Sequence, residues 1–175
     1  MEIIENKNLE FKNDIIQLYI EAFASGLSEQ YIDEVALEIY INRILEDGIT
    51  FLAIENSHIL GAVLACPLSF DEYVPSIITE SFQIEKCLYV AEMMVTENAR
   101  GNGIGKQLLT TLFNNINHEK YSDVFIRVWN KNTGAISLYK NLGFKPFTTI
   151  EQIKMRADGI ETFMMNKIYL HKKIN

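Results

Sequence analysis

Hydrophobic residues recur along this chain with two periods, one typical of helices and one typical of strands. In residues 13–24 they lie three and four positions apart, which predicts an amphipathic helix. Residues 49–55 and 58–67 are apolar runs on either side of Asn56 and Ser57, which predicts a β-hairpin. The other predicted elements of this half are a strand over residues 1–5, a stop of the first helix near Gly26, a second helix capped by Ser28 that continues to about Glu46, and a short helix within residues 68–86.

The second half of the chain alternates strands with helices and then ends in two long strands. The predicted elements are a strand over residues 88–95, a helix over 104–116, a strand over 122–129, a helix over 133–142 that ends at Gly143, and strands over 144–156 and 160–170 around Ala157, Asp158 and Gly159. Strands joined by a helical crossover pair in parallel, whereas strands joined by turns pair antiparallel. The predicted fold class is therefore α/β (α+β), with a mixed, mostly antiparallel central sheet, a parallel pair at its centre and helices on both faces.

A glycine-rich loop joins the strand over residues 88–95 to the helix that follows it. Gly101, Gly103 and Gly105 lie within five residues. At such a junction, unpaired backbone N–H groups and the positive end of a helix dipole meet, and the missing side chains let a phosphate approach the main chain. The loop is therefore predicted to bind a pyrophosphate.

Two well-known phosphate-binding loops do not fit this segment. The residues after Gly105 are Lys106 and Gln107, so the serine or threonine of a P-loop is missing. Lys106 also stands where the G-x-G-x-x-G pattern of a dinucleotide-binding fold requires its third glycine. The sequence Arg-Gly-Asn-Gly-Ile-Gly of residues 100–105 instead closely resembles the acyl-CoA signature of the GCN5-related N-acetyltransferase (GNAT) family, Q/R-x-x-G-x-G/A.

A second motif extends this resemblance. Asn132 and Tyr139 are seven residues apart and precede the pair Gly143 and Phe144, which is similar to the arrangement in the family. The resemblance implies a single N-acetyltransferase domain over residues 1–175 that uses acetyl-CoA as acyl donor and transfers the acyl group to a primary amine by direct attack. The cofactor is expected to contact Met93, Met94, Val95, Arg100, Gly101, Asn102, Gly103, Ile104, Gly105, Lys106 and Asn132.

Composition and charge narrow the functional classes. With 175 residues, 48% of them hydrophobic, the chain has enough apolar surface for one core. A net charge of −7 argues against nucleic-acid binding, and no stretch approaches the length of a membrane span. We expect a cytoplasmic protein with free buried thiols at Cys66 and Cys87 and without a metal, because neither the cysteines nor the three histidines show metal-ligand spacing.

Acyl transfer needs a neutral amine, a stabilised oxyanion and a proton for the leaving thiolate. The resemblance implies that Tyr139 is the acid rather than a tyrosine that only packs in the core. Its spacing agrees, because it returns to the helix face of Asn132, the expected N-cap, about 10 Å farther along the axis. A phenol of pKa about 10 can protonate a thiolate whose thiol has a pKa of about 8.5. If the preceding strand bulges near Met93, Met94 and Val95, its N–H groups face the cofactor and bind the pantetheine amides and the oxyanion. The two methionine side chains themselves are expected in the core.

The sequence leaves three alternatives for Glu92 and the general base. Glu92 is the only charged residue in the run from 88 to 95, and burial raises the pKa of a carboxylate toward the range useful for accepting an amine proton. It is equally able to form a structural ion pair with Arg127 on the adjacent strand. An ordered water is the third alternative. Arg127 also stands where ribosomal-protein acetyltransferases carry a catalytic glutamate, which weakens any transfer of their substrate.

The acceptor is expected to be a small-molecule or peptide amine. Its predicted rim carries acidic residues and tyrosines, which suits a cationic amine, and consists of Tyr31, Asp33, Glu34, Glu38, Tyr40, Asp71, Glu72 and Tyr73. A non-catalytic acyl-CoA sensor or interaction module of the same fold is the alternative function. Neither nucleic acid nor membrane is expected as a partner, and a homodimer is left open.

Overall fold

The computed structural model describes residues 1–7, 9–25 and 28–174, so the predicted helix stop near Gly26 lies outside the described residues. The strands are β1 (Glu2–Glu5), β2 (Ile49–Glu55), β3 (His58–Pro67), β4 (Cys87–Val95), β5 (Asp123–Trp129), β6 (Lys145–Met155) and β7 (Thr162–Lys173). The helices are α1 (Lys12–Phe23), α2 (Glu34–Asp47), α3 (Ser76–Ser81), α4 (Ile104–Asn115) and α5 (Thr133–Asn141).

The seven strands form one mixed sheet in the order β1-β2-β3-β4-β5-β7-β6. Among the described strands, β4 and β5 pair in parallel, and every other neighbouring pair is antiparallel. The crossover between β4 and β5 contains α4, as the sequence pattern predicted. The predicted fold class, including the parallel pair at the centre of the sheet, is confirmed.

Each face of the sheet has its own hydrophobic core. On one face, Leu108 and Leu112 of α4 pack with Val90 and Ile126 of the two parallel strands, and Tyr139 of α5 joins this cluster. On the other face, α1 and α2 cover a second cluster that includes Leu64, Tyr89, Phe125 and Tyr169. Both cysteines are buried and free, as predicted. We refer to these two sides as the α4 face and the α2 face of the sheet.

The start of α2 differs from the sequence prediction. Asp33 is the N-cap, and its carboxylate accepts a hydrogen bond from the Ala36 N–H at 3.0 Å. Ser28 lies before the helix, and its hydroxyl donates to the carbonyl of Phe23 at 2.9 Å. The prediction of Ser28 as the cap is wrong because the chain between these residues is engaged elsewhere: Gln30 forms an antiparallel bridge with Arg156.

The centre of the sheet opens between its two parallel strands. β4 and β5 pair from Cys87 and Asp123 only as far as Val90 and Ile126, and beyond that point β4 pairs with β3 alone. The register between β3 and β4 shifts between Val90 and Glu92, so the bulge lies at Ala91, two residues before the earliest position that we expected. Because of this extra residue, Glu92 and Met94 face the α2 side, whereas Met93 packs against the α4 side.

Candidate active site

A deep cleft occupies the place where β4 and β5 separate. It has a volume of about 1160 Å³ and is lined from both faces of the sheet. The glycine loop and α5 contribute from the α4 face. Helix α2 and residues 70–73, which we call the segment after β3, contribute from the α2 face. Such a cavity is large enough for an extended ligand and brings residues from both sides to one reaction centre.

The glycine loop has the geometry of an anion-binding site at one end of this cleft. Gly101 and Gly103 adopt positive φ angles of +80° and +77°, and Gly103 is the N-cap of α4. Among the described residues, no acceptor receives a hydrogen bond from the N–H groups of residues 101–106, and the first intrahelical bond runs from Gln107 N–H to the Gly103 carbonyl. These free donors at a helix N-terminus fit a pyrophosphate.

The glycines also leave the space that a ligand needs. A Cβ at Gly101 or Gly103 would meet no atom closer than 4.0 Å, so both positions are open. A Cβ at Gly105 would lie 3.0 Å from Leu138 Cδ2 and 3.1 Å from Met93 Cε, so this glycine is needed for the close packing of α4. Of the predicted cofactor residues, all but Asn102 line the cleft; the Asn102 amide instead donates to the Ala99 carbonyl at 3.3 Å.

Asn132 and Tyr139 lie on the α5 side of the cleft, as their spacing predicted. The Asn132 side chain accepts a hydrogen bond from the Ala135 N–H at 3.1 Å, which confirms it as the N-cap. Tyr139 is 5% exposed, lines the cleft, and donates to no described residue through its hydroxyl. Burial, and secondarily the charge of Glu92, raises the pKa of the Tyr139 phenol, so its proton is in place at neutral pH.

Glu92 faces the cleft from the opposite side and is held by a tyrosine of α2. The Tyr40 hydroxyl donates to Glu92 Oε1 at 2.8 Å. Burial raises the pKa of Glu92 from 4.5 to about 7, although the Tyr40 hydrogen bond and the charges of Lys167, Arg127 and Lys154 act in the opposite direction. A carboxylate with this pKa can accept a proton near neutral pH.

The alternative ion pair between Glu92 and Arg127 is not formed. Arg127 Nη1 instead donates to Asp71 Oδ1 at 2.9 Å and to the Tyr169 hydroxyl at 3.0 Å, and Tyr169 donates to Asp71 Oδ2 at 2.7 Å. The Asp71 side chain is 2% exposed, so the segment after β3 brings the arginine a partner that is better buried than Glu92. Sequence spacing alone could not reveal this partner.

Part of the predicted acceptor rim lines the cleft. Tyr31, Asp33, Tyr40, Asp71, Glu72 and Tyr73 line the cleft, whereas Glu34 and Glu38 do not. Glu38 instead forms a salt bridge with Lys12 at 2.8 Å, because both side chains project from the outer surface of α1 and α2. Two cleft residues that the sequence analysis missed are Lys154 and Lys167. Lys154 lies two residues from buried Gln152 on β6, and Lys167 lies two residues from buried Tyr169 on β7. Because side chains two residues apart share one face of a strand, this alternation could have indicated that both lysines point inward.

The described part of the chain contains neither a metal-binding cluster nor a membrane-spanning helix. No group of three or more histidine, cysteine, aspartate or glutamate residues is arranged to hold a metal ion there. None of the described helices combines the length and the apolar character that a membrane span requires.

Comparison with known proteins agrees with this geometry. The family model of the acetyltransferase (GNAT) family matches residues 12–144, more than half of the chain. The fold is similar to that of a ribosomal-protein-alanine N-acetyltransferase from Brucella melitensis, with a TM-score of 0.73, 19% identity and 99% of both chains covered. The chain thus belongs to the acetyltransferase (GNAT) family.

Two similar structures were solved with a bound cofactor. A putative acetyltransferase from Salmonella typhimurium, with its cofactor acetyl-CoA, has a TM-score of 0.72 and 13% identity, and 100% of this chain and 95% of that chain are covered. A GNAT family acetyltransferase from Elizabethkingia anophelis with acetyl-CoA bound has a TM-score of 0.64 and 20% identity, with 98% and 97% covered. At these sequence identities, the comparison shows similarity of the fold alone.

Proposed function

We propose that this protein is an acetyl-CoA-dependent N-acetyltransferase that acylates a primary amine by direct attack. The observation that carries the proposal is the convergence of a glycine loop with free N–H groups, the Tyr139 hydroxyl and the Glu92 carboxylate on one cleft. Acetyl-CoA would supply an acetyl thioester, and the two similar structures with bound acetyl-CoA support this donor. The acceptor enters from the α2 face, where Tyr40 and Tyr73 line the cleft.

The backbone of the glycine loop and that of β4 have separate roles in binding the donor. The N–H groups of residues 101–106 bind the pyrophosphate oxygens at the positive end of α4. Backbone groups of β4 beyond Val90 have no strand partner on the β5 side, so they are available to the pantetheine amides and to the carbonyl oxygen of the thioester.

The side chains of Glu92 and Tyr139 accept and donate the protons of the reaction. Glu92 accepts a proton from the attacking amine at its carboxylate, directly or through one water, because its pKa of about 7 keeps an ionised fraction at neutral pH. The Tyr139 hydroxyl is protonated at neutral pH and lines the same cleft, so it can donate its proton to the sulfur as the C–S bond breaks.

The test compares wild type with Tyr139→Phe and, as a matched control, Tyr121→Phe, which changes a buried tyrosine outside the cleft. Acetyl-CoA binding is measured by isothermal titration, and turnover by thiol release over a panel of primary amines. We expect all three proteins to bind acetyl-CoA alike and Tyr139→Phe to lose roughly 10²-fold in turnover. Binding without turnover on any amine would favour the acyl-CoA sensor instead.

A further inference from the structure

The acceptor side of the cleft contains more positive charge than the acidic rim predicted from the sequence would suggest. Arg127 of β5, Lys154 of β6 and Lys167 of β7 all line it. These residues share the α2 face of the sheet, because Arg127 lies opposite Tyr169, and Lys167 lies opposite Ile150, which packs in the α2-face cluster. The three cations therefore come from three neighbouring strands of one surface.

The two lysines form no direct ion pair with any residue that the structure describes. Neither Lys154 nor Lys167 forms a salt bridge or a hydrogen bond through its ammonium group with any residue that the structure describes. Both are only partly exposed. Burial and the neighbouring cations lower the pKa of Lys167 to about 7, and burial lowers that of Lys154. A protonated ammonium in this position lacks full hydration and has no carboxylate in direct contact, because Glu92 acts on both lysines only through its charge.

The guanidinium of Arg127 uses only one of its three nitrogens for hydrogen bonds with the described residues. Its Nη1 makes both of its hydrogen bonds, to Asp71 and to Tyr169, and within the described chain Nε and Nη2 have no acceptor. The guanidinium is fixed in place by this pair and by the Tyr73 ring, whose centroid lies 5.1 Å from Cζ. An oriented guanidinium with free donors beside a cavity can bind a planar or tetrahedral anion.

We propose that the acceptor carries, besides its primary amine, an anionic carboxylate or phosphate group that binds Arg127, Lys154 and Lys167. This inference rests on the proposed acetyl transfer and names the class of its substrate. The coenzyme phosphates are a poor alternative occupant, because the glycine loop leads into α4, which packs on the opposite face of the sheet. The anion would compensate the lysines while the amine is directed toward Glu92.

The test uses pairs of acceptors that differ in one anionic group. Amino acids are compared with their carboxamides, and aminoalkyl phosphates with the corresponding amino alcohols, by kcat/KM at one fixed pH near 7. For wild type we expect the anionic member of at least one series to be preferred by roughly tenfold or more, as for a charge-assisted hydrogen bond. The favoured series identifies the anion as carboxylate or phosphate.

Three variants connect this preference to the lysines. In Lys167→Gln and in Lys154→Gln the preference should fall by several-fold or more, through KM for the anionic amine, while KM for acetyl-CoA is unchanged. Lys145→Gln, at the exposed start of β6, removes the same charge and should retain the wild-type preference. Equal rates for charged and neutral members in every pair, or wild-type preference in both cleft variants, would overturn the proposal.

A binding measurement separates this proposal from the acetyl transfer itself. The same pairs are titrated calorimetrically into protein saturated with CoA. Tighter binding of the anionic members, lost in Lys167→Gln, would support the anion site even if no amine were acetylated, and in that case only the proposed function would fail. Equal binding of both members would reject the anion site whatever the turnover.

Discussion

Replacing Glu92 by glutamine tests the raised pKa of this carboxylate without any assumption about the substrate. The glutamine keeps the shape of the side chain and an oxygen that can accept the Tyr40 hydrogen bond, which measures 2.8 Å in the native protein. The substitution removes the negative charge and replaces the second carboxylate oxygen by an amide NH2 group. The pH-dependent part of the difference between the two proteins therefore reports the ionisation of Glu92 together with its effect on the charges of Lys154 and Lys167.

The size of the effect follows from linkage. The pKa of Glu92 is about 7 in the folded chain against 4.5 as its ordinary value, so between these pH values the folded chain binds the proton more tightly than the unfolded chain does. The free energy of unfolding therefore falls as the pH rises, by up to roughly 3 kcal/mol. The glutamine variant does not undergo this loss. Its free energy of unfolding relative to wild type should therefore rise between pH 4.5 and 7, and the difference should persist above pH 7.

The assay is thermal unfolding of both proteins at pH 4 and pH 8, with activity followed in parallel. Since 1 kcal/mol shifts the Tm of a domain of this size by about 2–4 °C, the difference in Tm between variant and wild type should grow by several degrees toward pH 8. Exposed Glu46→Gln is the matched control and should show no such growth. A Tm difference that does not change with pH would refute the raised pKa. Activity lost together with a Tm gain at pH 8 would mark Glu92 as a base.

The remaining predictions concern the cofactor loop and the partner of Glu92. Gly103→Val should weaken acetyl-CoA binding in isothermal titration by tenfold or more. The valine side chain would project into the open loop, and the φ of +77° at this position strains a β-branched residue. Wild-type affinity of this variant would show that the loop does not bind the cofactor. Tyr40→Phe should move the acidic limb of the pH–rate profile to higher pH, because the Tyr40 hydrogen bond lowers the pKa of Glu92; an unmoved limb would show that another group sets it.

The parts of the site that the sequence predicts are those built from local contacts. The glycine loop, the Asn132 cap and the return of Tyr139 to the cleft each depend on residues within one turn or one helix, so spacing is enough to place them. The same holds for the order of strands and helices, because hydrophobic period and turn residues fix each element separately. The start of α2 was missed because a distant bridge, between Gln30 and Arg156, outweighs the local preference of Ser28 for a cap.

The contacts that set the charges of the cleft depend on tertiary structure. Tyr40 and Glu92 are separated by 52 residues, and Arg127 and Asp71 by 56, so their pairing follows from the packing of α2 and of the segment after β3. From the sequence, an ion pair between Glu92 and Arg127 on adjacent strands was one of the alternatives. The bulge at Ala91 and the parting of the two strands after Val90 place them in different surroundings instead.

The charges on the α2 face form one coupled group, and this determines how its variants are to be read. The charge of Lys167 lowers the pKa of Glu92, so Lys167→Gln raises that pKa and leaves less of the carboxylate ionised at neutral pH. Turnover near pH 7 would then fall for every acceptor, whether or not it carries an anion. The loss of an anion contact instead affects only the anionic member of a pair. The ratio of rates within a pair cancels the ionisation of Glu92, and for this reason the ratio, and not the rate, identifies the binding role of the lysine.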